Sequence, residues 1–342
     1  MRGGRHEAHR DARERPVGAH GREPGPVTAV VRTATPADDP ALAGLWRLCF
    51  DAPQVTDLHA LDPDRHRHTF VAQNAAGDGI DAVVVYVPRT IRDADGAPRR
   101  VGGIGSVATR PEARGRGLVR LLLVAAERTM RAEGCAWSLL FTGTPGVYRG
   151  SGWQEFDSAY TEGTLTGGTP APPSAAGTAF RVRPATARDA AGVAALHRAY
   201  NADRPLSSLR SAEDWAVRVP AWYGPIERWL VAEDPVSGAL AGWIVAQHVG
   251  EHVEVREFAG APGCLGELFA AVGERGRAAG LDRARVRLPD EPGVRAALPA
   301  LLTDARRVTE RVGMARPLHA TAESVRAAVT APGAMHWYGD CF

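Results

Sequence analysis

A repeated pentapeptide constrains the fold more than any other feature of this sequence. Residues 31–35 recur at residues 182–186 with four of five positions identical, and downstream Asp38 corresponds to Asp189 and Leu45 to Leu196. In both copies the pattern predicts a short strand, a polar turn and an amphipathic helix whose first turn holds the aspartate, where the helix dipole favours a negative charge. A chain of 342 residues is long enough for about two domains, so the repeat predicts two domains of similar plan.

A stretch rich in Gly, Thr, Pro and Ala separates the two copies and has the composition of a linker. We therefore predict domains at residues 28–165 and 179–315, a linker at residues 166–178 and a C-terminal tail at residues 316–342. Residues 1–27 are rich in Arg, His, Gly and Pro and contain no apolar segment. This composition predicts a disordered tail and argues against a secretion signal.

Composition excludes several classes of protein. The formal net charge of +2 is too balanced for a general nucleic-acid binder, and a hydrophobic share of 44% supports a sizeable core. No apolar run is long enough to span a bilayer. The cysteines are isolated, without CxxC or metal-ligand spacing, which indicates a cytoplasmic protein; they are Cys49, Cys135, Cys264 and Cys341. His66 and His68 alternate before a strand without an evident third ligand, so we expect no metal.

The first copy continues as β-branched runs and one long helix. Strands are predicted at residues 69–73, 80–87, 101–109 and 136–141, with a long helix at about residues 114–132 and a short helix at residues 147–149. The apolar face of the long helix is predicted at Leu118, Leu121, Leu122, Ala125 and Met130.

The segment that joins the third of these strands to the long helix has the properties of an anion site. This Arg-Gly segment, residues 114–119, contains two glycines that let a ligand approach the backbone and two arginines that can bind phosphate oxygens. The first amides of the following helix have no partner within the helix and favour an anion. These properties predict a phosphate or pyrophosphate ligand, and a nucleotide cofactor would fit them as well as coenzyme A.

Two motifs resemble those of the GNAT acyltransferase superfamily. Residues 104–118 resemble its motif A, an apolar strand and a Pro before Arg/Gln-x-x-Gly-x-Gly/Ala, here framed by Arg114, Gly117 and Val119. Val119 departs from the small residue of the general pattern, as is tolerated in the Eis-type branch. Residues 144–153 resemble the Tyr-x-x-x-Gly-aromatic segment of these enzymes, with Tyr148 as the tyrosine.

The resemblance implies a fold class and a ligand. It implies an α/β (α+β) protein with two tandem GNAT-like domains, each a mixed twisted sheet flanked by helices, similar to the Eis-type branch but without the sterol-carrier domain. It also implies that acetyl-CoA or another acyl-CoA binds as co-substrate. The residues implied for this binding are Val107, Thr109, Arg114, Gly115, Arg116, Gly117, Leu118 and Val119. Backbone groups of the first two would pair with pantetheine, and amides of the others would hold the pyrophosphate.

The resemblance also implies that Tyr148 is the general acid, since a phenol near pKa 10 can protonate a leaving thiolate near 8.5. The general base stays open. Many family members carry a Glu on the strand before the loop, but residues 101–109 contain no carboxylate. The Eis-type branch uses its C-terminal carboxylate, which implies the carboxylate of Phe342 here. The alternatives are Asp340, His336 and His197, the last with a pKa in the right range.

The second copy lacks the Arg-Gly segment. At the matching place, residues 258–266 contain no Arg, and Pro262 removes a backbone donor. We infer a degenerate domain that does not bind coenzyme A and forms a wall of the acceptor site. Trp222 and Tyr223 follow Pro220 in a predicted loop and are the candidates for contact with the substrate.

These observations predict an N-acyltransferase that moves an acetyl or longer acyl group from coenzyme A to a primary amine of a small molecule in a ternary complex. The resemblance favours an aminosugar or an amino-containing antibiotic as acceptor. Two alternatives are a cysteinyl-sugar acetyltransferase similar to mycothiol synthase and a non-catalytic acyl-CoA sensor. We expect neither nucleic acid nor membrane as partner, and the oligomeric state is open.

Overall fold

The computed structural model of the chain describes residues 29–50, 52, 54–74, 77, 79–167 and 180–342. The predicted N-terminal tail and nearly all of the predicted linker lie outside the described residues. Among the described residues, no helix has the length and apolarity needed to cross a bilayer. We call residues 29–167 the N-terminal half and residues 180–342 the C-terminal half.

The N-terminal half contains six strands and five helices within its described residues. They are β1 (Val30–Thr33), α1 (Asp39–Cys49), α2 (Val55–Ala60), α3 (Arg65–His68), β2 (Thr69–Gln73), β3 (Ile80–Arg92), β4 (Pro98–Thr109), α4 (Leu118–Ala132), β5 (Trp137–Phe141), α5 (Gly146–Arg149) and β6 (Gln154–Leu165). The predicted strands and the short helix are confirmed. The long helix begins at Leu118, because Gly117 adopts a left-handed conformation, with φ 73°, that interrupts helical geometry.

The C-terminal half has six strands and five helices in a similar order, with two helices instead of three between its first two strands and a further helix after its last strand. These elements are β7 (Arg181–Pro184), α6 (Ala190–Tyr200), α7 (Val219–Tyr223), β8 (Leu230–Glu233), β9 (Leu240–Val249), β10 (His252–Gly260), α8 (Leu265–Ala278), β11 (Arg283–Val286), α9 (Pro292–Ala297), β12 (Leu302–Pro317) and α10 (Ala322–Thr330). A short 3-10 turn at Tyr338–Asp340 lies near the end of the chain.

The repeated pentapeptide has the same local structure in both halves. The Asp38 carboxylate accepts hydrogen bonds from the Thr35 amide at 2.7 Å and from the Arg32 guanidinium at 2.7 and 2.8 Å. Asp189 repeats these contacts with Thr186 and Arg183 at 2.7 to 2.9 Å. The predicted strand, turn and helix are therefore confirmed. A capping box of this kind stabilises a helix start by about 1 kcal/mol.

All twelve strands form one continuous mixed sheet in the order β1-β2-β3-β4-β5-β12-β6-β11-β10-β9-β8-β7. The last strand of each half is exchanged. β12 pairs antiparallel with β5 of the N-terminal half, while β6 pairs antiparallel with β11 of the C-terminal half. The fold class predicted from the sequence is confirmed, with two GNAT-like halves that share the centre of one sheet. The domain boundaries stay a prediction.

Helix α4 covers one face of the N-terminal half of the sheet. Its buried residues are Leu118, Leu122, Leu123, Ala126 and Met130. The predicted Leu121 is instead 40% exposed, because the face that meets the sheet is rotated toward Leu123 and Ala126. Burial of a leucine contributes about 2 kcal/mol, so this face fixes the helix, and with it the Arg-Gly segment, against β3 and β2.

Candidate active site

Strands β4 and β5 open into a V-shaped gap next to the Arg-Gly segment. They pair in parallel over three positions, where residues 101–103 face residues 137–139. The two strands do not pair beyond Gly103, so the edge of β4 that continues to Thr109 has no strand beside it within the described residues. Backbone groups of Val107 and Thr109 therefore lie along an open edge to which an extended ligand can add as a strand.

A bulge in β4 marks this open edge. The register against β3 shifts between Val83 and Val85, and opposite it Ser106 adopts φ 52°, which is uncommon for a residue with a side chain. The indole N–H of Trp46 donates a 2.9 Å hydrogen bond to the Ser106 carbonyl and holds the bulge from α1. Strained backbone of this kind clusters at functional sites.

The backbone of the Arg-Gly segment presents unbonded amides at the open end of the gap. Gly115 and Gly117 have φ of 77° and 73°, and a side chain added at either would meet open space. The first bond into α4 runs from the Leu121 amide to the Gly117 carbonyl at 3.3 Å. The amides of Leu118 and Val119 precede this bond, have no backbone acceptor in the described part of the chain and suit a pyrophosphate.

The two arginines of the segment differ in their contacts. Arg116 donates a 3.0 Å hydrogen bond to the carboxylate of Asp81, which is buried at the start of β3. Arg114 has a single 3.4 Å hydrogen bond to the Thr109 carbonyl and no ion pair among the described residues. Arg114 is thus the arginine with its charge available, whereas Arg116 would share its guanidinium between Asp81 and a phosphate. Phosphate binding by both remains a prediction.

Tyr148 lies on α5, packed beside α4 in the same core. Its side chain is almost fully buried and meets the Trp153 ring edge to face at 6.3 Å. Burial raises the pKa of the Tyr148 hydroxyl to about 12. The phenol therefore keeps its proton at neutral pH, as a general acid must.

The end of the chain lies against β4 at the base of the gap. A Cβ at Gly103 would lie 2.1 Å from Cδ1 of the Phe342 ring, and a Cβ at Gly105 would lie 2.6 Å from the Phe342 main-chain oxygen. The two glycines thus leave the space that Phe342 fills. The main chain of Phe342 thus lies against the face of β4 that Gly103 and Gly105 leave open, and its role as the base stays a prediction.

His197 is held in a buried ionic cluster in the C-terminal half. Its Nδ1 lies 2.8 Å from Glu257, which also accepts hydrogen bonds from Arg210 at 2.7 Å and from the Tyr223 hydroxyl at 2.5 Å. Burial and the charge of Arg210 lower the pKa of His197. With 3% of its surface exposed, His197 is more easily explained as a member of this cluster than as a base that meets substrate.

The two aromatic residues expected in a substrate-binding loop lie instead on helix α7, so the prediction of a loop is wrong. A π-helical turn at Asp214–Arg218 leads directly into α7. Pro220 lies in the first turn of α7, where a proline is tolerated. Tyr223 is buried against Glu257, and Trp222 packs edge to face on Tyr338 at 5.1 Å. Contact of either residue with a substrate stays a prediction.

The sequence analysis did not identify the residues that anchor the end of the chain. Arg210 bridges Glu257 on β10 and Asp340, donating to the latter at 2.7 Å, and its side chain is 1% exposed. The Trp337 indole donates a 2.9 Å hydrogen bond to Asn201. The sequence did hold one signal, because Glu257 is a carboxylate on the strand of the second copy that corresponds to β4. Its buried partners could not be predicted, since they are distant in sequence.

A second unrecognised feature is His336, which was considered only as an alternative base. Its ring stacks between Phe141 and Phe342, with ring centroids 5.3 Å away on both sides. Burial lowers its pKa to about 4, so the imidazole is neutral at physiological pH. The neutral His336 ring therefore packs between the end of β5 and the end of the chain.

A cleft opens beside the end of the chain and lies over the exchanged strands β6 and β12. It has a volume of about 1310 Å³, and Phe141, His336 and Cys341 are among its lining residues. We call the whole cleft the acceptor cleft, and the part that these three residues line its inner end. No group of three or more His, Cys, Asp or Glu side chains in the described residues is arranged to hold a metal ion. His66, for instance, pairs with Asp39, and His68 with Glu133.

Sequence comparison agrees with this geometry. Residues 30–156 match the sequence model of the acetyltransferase (GNAT) domain family. The chain carries a GNAT acetyltransferase domain. The match spans the gap between β4 and β5, the Arg-Gly segment and Tyr148, so these features belong to an acetyltransferase domain of the GNAT type, a class of domain that uses acetyl-CoA. No curated protein matches the chain in sequence.

Solved structures of GNAT proteins resemble the whole chain in fold. A GCN5-related N-acetyltransferase from Anabaena variabilis has a TM-score of 0.65 at 13% identity, covering 85% of this chain and 73% of that one. The GCN5-related N-acetyltransferase from Kribbella flavida has a TM-score of 0.62 at 19% identity, covering 90% and 74%. Eis1 from Mycobacterium abscessus has a TM-score of 0.60 at 15% identity, covering 85% and 74%. At these identities the likeness establishes the fold alone.

Proposed function

We propose that this GNAT acetyltransferase transfers an acetyl or longer acyl group from coenzyme A to a primary amine of a small molecule, with an aminosugar or an amino-containing antibiotic as the acceptor class. The observation that carries the proposal is the approach of the main-chain oxygen of Phe342 to Gly105, in the part of β4 that no longer pairs with β5. Because the preceding residue, Cys341, lines the acceptor cleft, we propose the Phe342 carboxylate as the base for an amine bound there.

In the proposed reaction, amides of the Arg-Gly segment bind the pyrophosphate, and the open edge of β4 pairs with the pantetheine arm. The amine attacks the thioester carbonyl, forming the new C–N bond and a tetrahedral intermediate. The Phe342 carboxylate takes the proton that the nitrogen loses. When the C–S bond breaks, Tyr148 gives its proton to the departing thiolate.

Direct transfer in a ternary complex is proposed because the thiols near the site are poor nucleophiles. Cys341 borders the acceptor cleft, but burial raises the pKa of its thiol to about 12, which leaves almost no thiolate at neutral pH. Initial-rate plots against both substrates should therefore intersect, as for a sequential mechanism. Parallel plots would indicate an acyl-enzyme and contradict direct transfer.

Release of free thiol from acetyl-CoA and from octanoyl-CoA, measured against a panel of aminosugars, amino-containing antibiotics and a cysteinyl sugar, tests the proposal. We expect amine-dependent thiol release with at least one primary amine. Turnover of the cysteinyl sugar alone would favour the mycothiol-synthase-like alternative. Tight binding of acyl-CoA without turnover of any amine would identify a sensor and overturn the proposed function.

A further inference from the structure

The acceptor cleft is larger than a single sugar requires and has an excess of positive charge. Its volume of about 1310 Å³ exceeds the roughly 300–1,000 Å³ usual for small-ligand sites. Six arginines and four carboxylates line it among the described residues. The charge of this lining is the feature from which the chemistry of the acceptor can be inferred.

Every carboxylate of the lining is already paired with an arginine. Glu155 pairs with Arg149 at 2.5 Å, Asp157 with Arg311 at 2.9 Å and Asp290 with Arg295 at 3.0 Å, while Glu310 pairs with Arg287. A polycationic acceptor would have to displace these arginines or add its own charge beside them. Like charges brought together in this way reduce affinity and select against such a ligand.

The guanidinium of Arg307 forms no ion pair with a carboxylate among the residues that the structure describes. It is held by two neutral acceptors, the Thr161 hydroxyl at 3.2 Å and the Leu288 carbonyl at 3.4 Å. These contacts fix the group on β12 and leave donors for a further partner, since a guanidinium has five N–H groups. A fixed, half-solvated guanidinium is well suited to bind a phosphate or a carboxylate.

The position of Arg307 also sets a minimum length for the acceptor. Arg307 and Gly313 both lie on β12, and Gly313 faces Phe141 at the inner end of the cleft. Six residues of strand span roughly 20 Å. An acceptor whose amine meets the Phe342 carboxylate could therefore reach Arg307 only if it is extended.

We infer that the acceptor is an extended amine with an anionic group, a phosphate or a carboxylate, that binds Arg307 while the amine lies at the inner end of the cleft. This inference rests on the proposed function and narrows its acceptor class. The negative carboxylate of Phe342 at one end and the surplus arginine charge at the other match a ligand that is cationic at its amine and anionic at its far end.

The inference is tested by comparing acetyl transfer to amines that carry a similar reactive amino group but differ in charge. The probes are glucosamine, uridine diphosphate glucosamine, muramic acid and a polycationic aminoglycoside, with kcat/KM obtained from thiol release at low and high salt. We expect uridine diphosphate glucosamine to exceed glucosamine and the aminoglycoside by at least tenfold, and the advantage to shrink as salt rises. Muramic acid, whose carboxylate lies close to its amine and cannot reach Arg307, should gain little. A gain equal to that of uridine diphosphate glucosamine would contradict the length that the position of Arg307 sets.

The Arg307→Gln variant separates this inference from general effects of charge. It should lower kcat/KM for the anionic amine about tenfold and leave glucosamine unchanged, whereas Arg283→Gln, an exposed charge outside the cleft, should change neither. Equal or better turnover of glucosamine or the aminoglycoside would overturn the inference while leaving the proposed function intact.

If no amine is acetylated, the proposed function fails, and binding decides the inference. Calorimetric titration of uridine diphosphate glucosamine into the protein with coenzyme A present would then compare the wild type with Arg307→Gln. A tenfold weaker Kd in the variant supports the anionic ligand. Equal affinities contradict it.

Discussion

Two glycines of β4 determine where the end of the chain can lie. Gly103 and Gly105 face the ring and the main chain of Phe342 at distances that no Cβ could share. The nearest neighbour on the open side of both glycines is the C-terminal residue itself. A single methyl group added at either glycine would therefore displace the proposed base.

Gly105→Ala should lower kcat by tenfold or more because the added Cβ would displace the Phe342 carboxyl group, whose oxygen lies 2.6 Å from that position. The Kd for acetyl-CoA, measured by calorimetry, should change little, since the Arg-Gly segment is untouched. Gly44→Ala is the matched control, because a Cβ at Gly44 in α1 meets nothing within 4 Å. An unchanged kcat in Gly105→Ala would contradict the role of the carboxylate.

Tyr148→Phe should lower kcat about 100-fold and leave acyl-CoA affinity nearly unchanged, because the hydroxyl acts on the leaving thiolate and not on binding. Burial places the pKa of Tyr148 at about 12, above its usual value of 10, so the active protonated form persists as pH rises. The kcat profile should therefore show no loss from this group below about pH 11. A loss centred near pH 10 that vanishes in Tyr148→Phe would contradict the burial argument.

At the scale of elements, the C-terminal segment, residues 335–342, joins the two halves. Trp337 and Asp340 are anchored to the C-terminal half through Asn201 and Arg210, and Phe342 reaches β4 of the N-terminal half. Tyr338 packs under the Arg256 guanidinium, 3.9 Å from its ring centroid. The segment thus extends from β10, the strand of the C-terminal half that corresponds to β4, to the gap between β4 and β5 in the N-terminal half.

Arg210→Gln should destabilise the protein by about 3–5 kcal/mol, because it leaves Glu257 and Asp340 buried without their cation. Urea unfolding measures this, with Arg283→Gln as a control in which an exposed arginine is removed. The folded fraction of the variant should also lose kcat more than acetyl-CoA affinity, since Asp340 lies two residues before Phe342. A variant as stable and active as the control would show that the cluster anchors nothing.

At the scale of the whole molecule, the exchanged strands make each half incomplete. β5, which forms one side of the gap, is paired on its other edge with β12 of the C-terminal half, and β6 of the N-terminal half pairs with β11 of the C-terminal half. The two halves are thus expected to fold and unfold together.

A chain that ends at residue 167 should fail to fold cooperatively, because β5 would expose an edge of buried residues that β12 covers over residues 313–317. Circular dichroism melting and size-exclusion chromatography check this. We expect either no cooperative transition or a self-associated species. A monomer with a sharp transition and intact acetyl-CoA binding would show that the exchange is not needed for the fold.

What the sequence could predict follows from the range of the contacts involved. The repeat, the strands around the Arg-Gly segment, the start of α1 and α6 and the position of Tyr148 depend on neighbours within a few residues, so periodicity and motifs were enough. The strand exchange and the Arg210 cluster join residues as far apart as Arg210 and Asp340, separated by 130 positions. Trp222 and Tyr223 were misplaced for a local reason: Pro220 suggested a loop, but it lies in the first turn of a helix, where proline is tolerated.

The most direct measurement for the central claim is a crystal structure of the protein with coenzyme A and a primary amine. We predict the pyrophosphate within hydrogen-bond distance of the amides of Leu118 and Val119, pantetheine along the open edge of β4, and the sulfur between Tyr148 and the Phe342 carboxylate. Coenzyme A bound elsewhere, or bound here with the Phe342 carboxylate turned away from the amine, would contradict the account.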